Sequence, residues 1–256
     1  MAPDYVVFSS YGNDSIALLQ LLTRYRLPEQ RACAVVYSDT GWASPDWEDR
    51  VARAEAWARG LGFSVHRTAA EGFAQLIKRK KMFPRGRAQF CTSVLKIEPA
   101  QHWLAEHDPE ARAVCVVGVR RAESLRRSGA QAYEPISAAH GGRPLWQPMV
   151  EFTNADRDNV VLAAGWDVLP HRSDECFPCI FSARKDLRRV TEERVAEIEG
   201  LERRCAADGS RTMFRPAAYA GARGVREVMR WAHSERGAYR AEHDDEADCD
   251  SGFCGT

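Results

Sequence analysis

The chain has 256 residues, 45% of them apolar, enough to bury a core for one large domain or one and a half. Lysine plus arginine equals aspartate plus glutamate, so bulk charge favours neither a nucleic acid nor a small-molecule partner. No apolar run reaches spanning length and no signal peptide opens the chain, which predicts a cytoplasmic protein without a membrane partner. Eight cysteines in such a chain point to metal or redox chemistry rather than structural disulfides.

The apolar run Tyr5-Val6-Val7-Phe8 leads into Ser9-Ser10-Tyr11-Gly12-Asn13-Asp14-Ser15 and then the patterned segment 16–22. Strand, tight polar loop and helix follow in order. Such a loop presents backbone N–H groups at a helix N-terminus, where the macrodipole favours an anion. Gly12 permits an unusual φ, and Ser10 and Ser15 add hydroxyl donors. Asp14 belongs beside a phosphate only if it holds Mg²⁺ or fixes the loop. No Walker phosphate loop occurs, and an ordinary strand-to-helix turn is the other reading.

Residues 32–37 read as a second buried strand, with Cys33 in the core, ending at Asp39-Thr40-Gly41. Ligands of open α/β sheets bind outside the carboxyl ends of strands, so this turn is a candidate site element. Ser44 as N-cap and Pro45 at the first helical position open a helix through Trp47, Val51, Ala54 and Trp57. Residues 63–67 form a third strand. The β-α-β-α-β order predicts a parallel sheet.

The basic run 76–87 reads either as solvated surface or as a flap touching the phosphates of a nucleotide or nucleic acid. Phe90-Cys91-Thr92-Ser93-Val94-Leu95-Lys96 follows, with Cys91 a buried thiol or ligand and Lys96 a surface residue or phosphate contact. Residues 113–117 are a buried strand, Cys115 in its core, that breaks at Gly118 into the arginine-rich turn Val119-Arg120-Arg121. An arginine at a strand's carboxyl end suits a phosphate or carboxylate. Residues 128–142 read as loop, 154–164 as a helix capped by Thr153 or Asn154, and 184–202 and 224–234 as further helices. Cys176-Phe-Pro-Cys179 is a metal knuckle, a dithiol or a coincidence. The acidic tail from Asp244 carries Cys249 and Cys254 and reads as disordered by composition.

Three segments carry a resemblance. Ser10-Tyr11-Gly12-Asn13-Asp14-Ser15 resembles the S-G-G-x-D-S pyrophosphate loop of the phosphoadenosine-phosphosulfate (PAPS) reductase and adenine nucleotide alpha-hydrolase superfamily, with Tyr11 in place of the first glycine. Asp39-Thr40-Gly41 before a proline-opened helix is similar to the same group. Gly118, Val119, Arg120, Glu123, Ser124 and Arg127 match its Gly-apolar-Arg-x-x-Glu-Ser-x-x-Arg segment. Cys91 to Pro99 and Trp146-Gln-Pro148 are further likenesses, the former also to the ATP pyrophosphatases of DNA phosphorothioation.

The resemblance implies a doubly wound, mostly parallel α/β sheet of adenine nucleotide alpha-hydrolase type over 1–170, and a helical C-terminal part over 171–256. It implies an ATP-dependent sulfur-handling enzyme that adenylates a substrate for sulfur incorporation. The alternatives are a PAPS or adenylyl-sulfate reductase and a non-catalytic nucleotide-sensing subunit. Ser10, Gly12, Asn13, Asp14 and Ser15 would hold phosphates and Mg²⁺. Asp39 and Thr40 would line the adenosine, and Gly118, Arg120, Arg127 and Lys96 would meet phosphate or sulfate. A 4Fe–4S cluster would take Cys91, Cys176, Cys179 and, from the tail, Cys249, or leave its fourth iron open to sulfide; Cys254 would be a nucleophile or sulfur carrier. Zn²⁺ on Cys176, Cys179, Cys249 and Cys254 is the competing metal. A sulfur-donor protein such as a cysteine desulfurase, and a homo-oligomer or larger complex, are the implied partners; DNA, tRNA and small molecules stay open as acceptor.

Overall fold

The computed structural model describes residues 2–86, 88–206 and 210–240. Its elements in chain order are β1 (Tyr5–Phe8), α1 (Asn13–Arg24), α2 (Leu27–Gln30), β2 (Cys33–Asp39), α3 (Trp47–Gly60), β3 (Ser64–Ala69) and α4 (Phe73–Lys80). A helical run follows as α5 (Phe90–Thr92), a π-helical turn (Ser93–Ile97) and α6 (Glu98–His107). Next come β4 (Val114–Val116), β5 (Tyr133–Ser137), β6 (Arg143–Trp146) and α7 (Asn154–Ala163). The last elements are α8 (Arg184–Leu187), α9 (Glu192–Cys205) and α10 (Gly224–His233).

The sheet has the order β3-β2-β1-β4-β6-β5. All pairings are parallel except β5 with β6. Side chains alternate between the two faces of a strand, and here both faces are apolar. Val7, Val35 and Val116 share one core with Ile16 and Leu19 of α1, Val51 of α3 and Val161 of α7. Val6, Ala34, Val36 and Cys115 share the other with Trp103 and Leu104 of α6. Helices therefore cover both faces, as a doubly wound sheet requires. Successive strands run outward from β1 to β3 and then return to β4 on the far side of β1. That reversal opens a crevice at the carboxyl ends of β1 and β4, the place where ligands of such sheets bind.

The chain forms two compact units, residues 1–73 with 90–177, and residues 74–89 with 178–256. Residues 171–177, grouped by sequence with the C-terminal part, thus fall in the first unit, and the basic run falls in the second.

Two expected elements differ. The stretch 128–142 contains β5, antiparallel to β6 with a bulge between Glu134 and Ser137. Its residues are mostly exposed and it holds Pro135, so no apolar alternation betrays it. The expected helix over 184–202 is two, because Thr191 caps a new start by accepting from the Arg194 N–H. Among the described residues no helix is long and apolar enough to cross a membrane.

Candidate active site

The first unit gathers its chemistry at the carboxyl ends of β1, β2 and β4. Beyond Phe8 the chain turns through a loop that is largely closed on itself. The Ser10 N–H donates to Ser15 Oγ at 3.0 Å and the Tyr11 N–H to Ser9 Oγ at 3.1 Å. The Gly12 N–H reaches Ser10 Oγ at 3.4 Å, and the two hydroxyls of Ser10 and Ser15 also stand 3.4 Å apart. An anion entering the loop would therefore compete with Ser15 for the Ser10 N–H. Tyr11 adopts the left-handed φ of +56° that glycine takes easily. Its ring turns away from the loop into the core, fully buried and tilted on Tyr37 with 5.6 Å between centroids. Burial first, and Glu55 second, push the Tyr11 hydroxyl well above its ordinary pKa. The tyrosine thus leaves the loop's open side clear. Arg50 of α3 fixes the turn by donating from Nε to the Tyr11 carbonyl at 2.8 Å. Burial, aided by Arg53, lowers that guanidinium to about 10.

At the head of α1, Asp14 receives Arg120 Nε at 2.5 Å, while Arg157 Nη1 stands 3.9 Å from its other oxygen. The Arg120 side chain is only 2% exposed against 32% for Asp14. Its Nη1 donates to Asn154 Oδ1 at 3.0 Å and to the Phe152 carbonyl at 3.5 Å. Arg120 was expected to meet an anionic substrate, but its burial and its partners make it the anchor of Asp14. Gly118, just before it, is the point of closest approach: a Cβ there would lie 3.2 Å from the Asp14 carbonyl. Magnesium was expected at Asp14, yet a divalent cation there would sit beside two guanidinium groups. That surrounding does not fit a protein-held Mg²⁺, so Asp14 takes the second role open to it and fixes the loop.

A segment after α7 straps these ends together. The Asn13 side chain donates to the Leu169 carbonyl and accepts from the Leu169 N–H, both at 3.0 Å, so the side chain serves as a clip and any phosphate contact would fall to its backbone N–H. A Cβ on Gly12 would meet Ser173 Cβ at 3.0 Å. At the end of β2, Asp39 accepts from the Gly41 N–H at 2.8 Å and tightens its own turn. The buried Thr40 hydroxyl donates to the Glu175 carbonyl at 2.5 Å. Ser44 N–H reaches the Asp174 carbonyl at 3.0 Å, and Phe177 N–H the Trp42 carbonyl at 2.7 Å. Lys96, in the π-helical turn, is ion-paired with Glu175, and its carbonyl accepts from Ser38 Oγ at 3.2 Å. A π turn inside an α-helical run often marks a functional position.

The cationic groups around the loop are Arg120, Arg157, Arg127 and Arg172. Burial lowers the Arg127 pKa, Asp14 opposes this, and Arg172 and Arg120 add to it. Arg120, Arg127 and Arg157 interact with Asp14, and Arg157 is also paired with Asp158 at 2.5 Å, so neighbouring carboxylates offset part of this positive charge. Arg127 also pairs with Glu123 four residues back. Arg172, Glu175, Asn154 and Arg157 went unassigned in sequence. Arg172 and Glu175 precede Cys176 in a stretch read for its cysteines, and Asn154 was read only as a cap.

Cys33 and Cys115 are core thiols whose pKa values burial pushes to about 11 and about 12. Cys91 and Cys176 are half-buried in the first unit, with Cys176 bridged to Trp42; Cys179 is half-buried in the second. Among the described residues no group of three or more His, Cys, Asp and Glu side chains stands together as metal ligands would. Cys249 and Cys254 lie outside the described residues.

A doubly wound sheet with a polar loop and a buried arginine clamp at its switch point is an architecture shared with nucleotide-binding α/β proteins. The chain belongs to the phosphoadenosine phosphosulfate reductase domain family, which it matches over residues 4–170. A search of curated protein sequences gives no significant match. Among solved structures it is similar to phosphoadenylyl-sulfate reductase from Candida auris, at 15% identity and a TM-score of 0.45 over 65% of this chain and 75% of that one. The U34-tRNA thiolase NcsA from Methanococcus maripaludis, with its 4Fe–4S cluster, gives 12% and 0.48 over 98% and 76%. The FMN adenylyltransferase of Candida glabrata gives 13% and 0.42 over 62% of this chain but 47% of that one. At these identities and scores the likenesses carry no functional weight.

Proposed function

We propose that the crevice at the ends of β1 and β4 binds an adenine nucleotide through its phosphate or sulfate groups, and that the chain is an ATP-dependent sulfur-handling enzyme. The observation that carries this reading is the clamp at the switch point. Gly118 lets β4 pass against the Asp14 backbone, Arg120 locks Asp14, and Arg127 and Arg172 stand around the same loop. In the favoured reaction an acceptor oxygen attacks the α-phosphorus of ATP and the bond to pyrophosphate breaks. Sulfide-level sulfur from the donor then attacks the acceptor atom that bears the adenylated oxygen, and the bond from that atom to the oxygen breaks to release AMP. Arg127 and Arg172 would take up the charge that grows on the departing pyrophosphate, with Ser10 and Ser15 donating hydroxyls to it. Lys96 would leave Glu175 to meet a phosphate only if the pair opens.

A second reading is supported by the family itself: reduction of a sulfated adenine nucleotide, in which the Cys254 thiolate would attack the sulfate sulfur, break its bond to the bridging oxygen and release the nucleotide. A thiol donor would then reduce the S-sulfonate and release sulfite. The third, a sensing subunit, loses its main motive, because the Tyr11 ring lies in the core and not across the loop. A 4Fe–4S cluster or zinc remains to be tested by iron, zinc and acid-labile sulfide content of anaerobically purified protein. A sulfur-donor protein is the partner the favoured chemistry requires.

Purified protein with ATP and candidate acceptors should release pyrophosphate. Sulfite release from PAPS or adenylyl sulfate with a thiol donor, and none of pyrophosphate, would give the reductase reading instead. Nucleotide binding without either product would leave only the sensor.

A further inference from the structure

The chain's zero net charge conceals a strongly uneven distribution. Residues 74–89 hold six basic side chains and no acidic one, and no acidic residue occurs between Asp208 and Glu227. Both stretches belong to the second unit. The fold joins them: Arg211 Nη1 donates to the Lys81 carbonyl at 2.9 Å, and Arg215 Nη1 lies 3.6 Å from the Cβ position of Gly86. Between those two contacts the chain closes a small turn, with the Arg85 and Ala88 backbones exchanging hydrogen bonds. Leu76, Ile77, Phe83, Met213 and Phe214 are buried, whereas Lys78, Lys81, Arg85, Arg211 and Arg215 are exposed. Buried residues thus pin both segments while their cations face outward. Among the unit's acidic groups, Glu202 of α9 reaches the 211–215 segment, but it is buried and accepts from the Met213 N–H at 2.9 Å, while Glu192 and Glu199 of α9 hold Arg226 of α10.

We propose that this patch binds the phosphodiester backbone of a nucleic acid. Exposed cations on two joined segments that themselves carry no carboxylate suit a regular polyanion, since each phosphate neutralised releases condensed counterions. A single nucleotide could use only one or two of these groups, whereas a backbone passing over the patch engages them together. Contacts to phosphate position the polymer and by themselves carry no sequence information. The inference goes beyond the nucleotide reading and stands apart from it, because binding is measured without ATP.

Fluorescence anisotropy with labelled 30-nucleotide single- and double-stranded DNA and RNA, across a salt series, tests it in the full chain. The wild type should bind at low salt with a steep salt dependence, the four probes showing which polymer is preferred. The variant K81E/R85E/R211E/R215E should lose about tenfold or more in affinity. The milder K81Q/R215Q should lose less and flatten the salt slope by about two. Control reversals at Arg203 and Arg204 on α9 should change little, and thermal melting should confirm that every variant folds. Three results would overturn the proposal: no binding of any probe at low salt, equal loss from the α9 controls, or equally tight binding of polyglutamate. The last would assign the patch to an acidic protein.

Discussion

At the scale of single residues, the loop is held by side chains that never reach its open side. Tyr11 accepts a left-handed backbone at a cost of about 1 kcal/mol, which burial of its whole ring offsets. Its hydroxyl, however, is buried with no partner among the described residues. An unsatisfied polar group costs about 1–3 kcal/mol, so Tyr11→Phe should raise stability in urea by about 1 kcal/mol. A loss of stability would reveal a water bound to that oxygen. Arg120 presents the opposite case, a buried cation bonded to Asp14, Asn154 and the Phe152 carbonyl. Arg120→Lys keeps the charge but loses the planar fork that reaches Asp14, Asn154 and Phe152 at once. It should lower stability by about 1–3 kcal/mol and reduce turnover with it. Asp14→Ala would strand the buried guanidinium and cost about 3–5 kcal/mol, so Asp14→Asn is the cleaner variant. In a double-mutant cycle, additive effects of Arg120→Lys and Asp14→Asn would show the pair to be uncoupled.

At the scale of elements, the exit of β4 is as demanding as the loop itself. Gly118 passes the Asp14 carbonyl so closely that Gly118→Ala must push α1 or β4 aside, a change costing about 1–3 kcal/mol. Nucleotide affinity measured by calorimetry should fall as well, while Gly129→Ala, with open space around it, should leave both unchanged. Much of this frame was readable in sequence, because strands, caps and glycine turns are local. Tyr5–Phe8 appears as expected, and Thr153 caps α7 in a reciprocal box with Asp156. The strap was not readable. Asn13 meets Leu169 and Thr40 meets Glu175 across more than a hundred residues, and no spacing rule announces such pairs. The π-helical turn beneath Lys96 has no compositional signature either. Sequence thus supplied Arg120 with a charge and a position, but its burial, which decides its role, came only from packing.

At the scale of the molecule, two histidines make stability depend on pH. Burial lowers the pKa of His66, with His107 adding to it, and burial likewise lowers that of His140, with Arg143 adding and Glu134 opposing. A folded state that holds these imidazoles neutral binds fewer protons than the unfolded chain, so stability rises with pH. The contribution is complete above the ordinary value of about 6.5 and is lost as pH falls below it. Urea midpoints should therefore drop between pH 7.5 and 5.5, and His66→Gln with His140→Gln should flatten that slope. The division into units has a separate consequence, for the order in which the chain is made. Residues 74–89 leave the ribosome long before Arg211, which contacts Lys81 across 130 positions. At about 5–20 residues per second that delay is roughly ten seconds. During it Leu76, Ile77 and Phe83 lack the later half of their own unit, and neither unit can be freed from the gene product by a single cut.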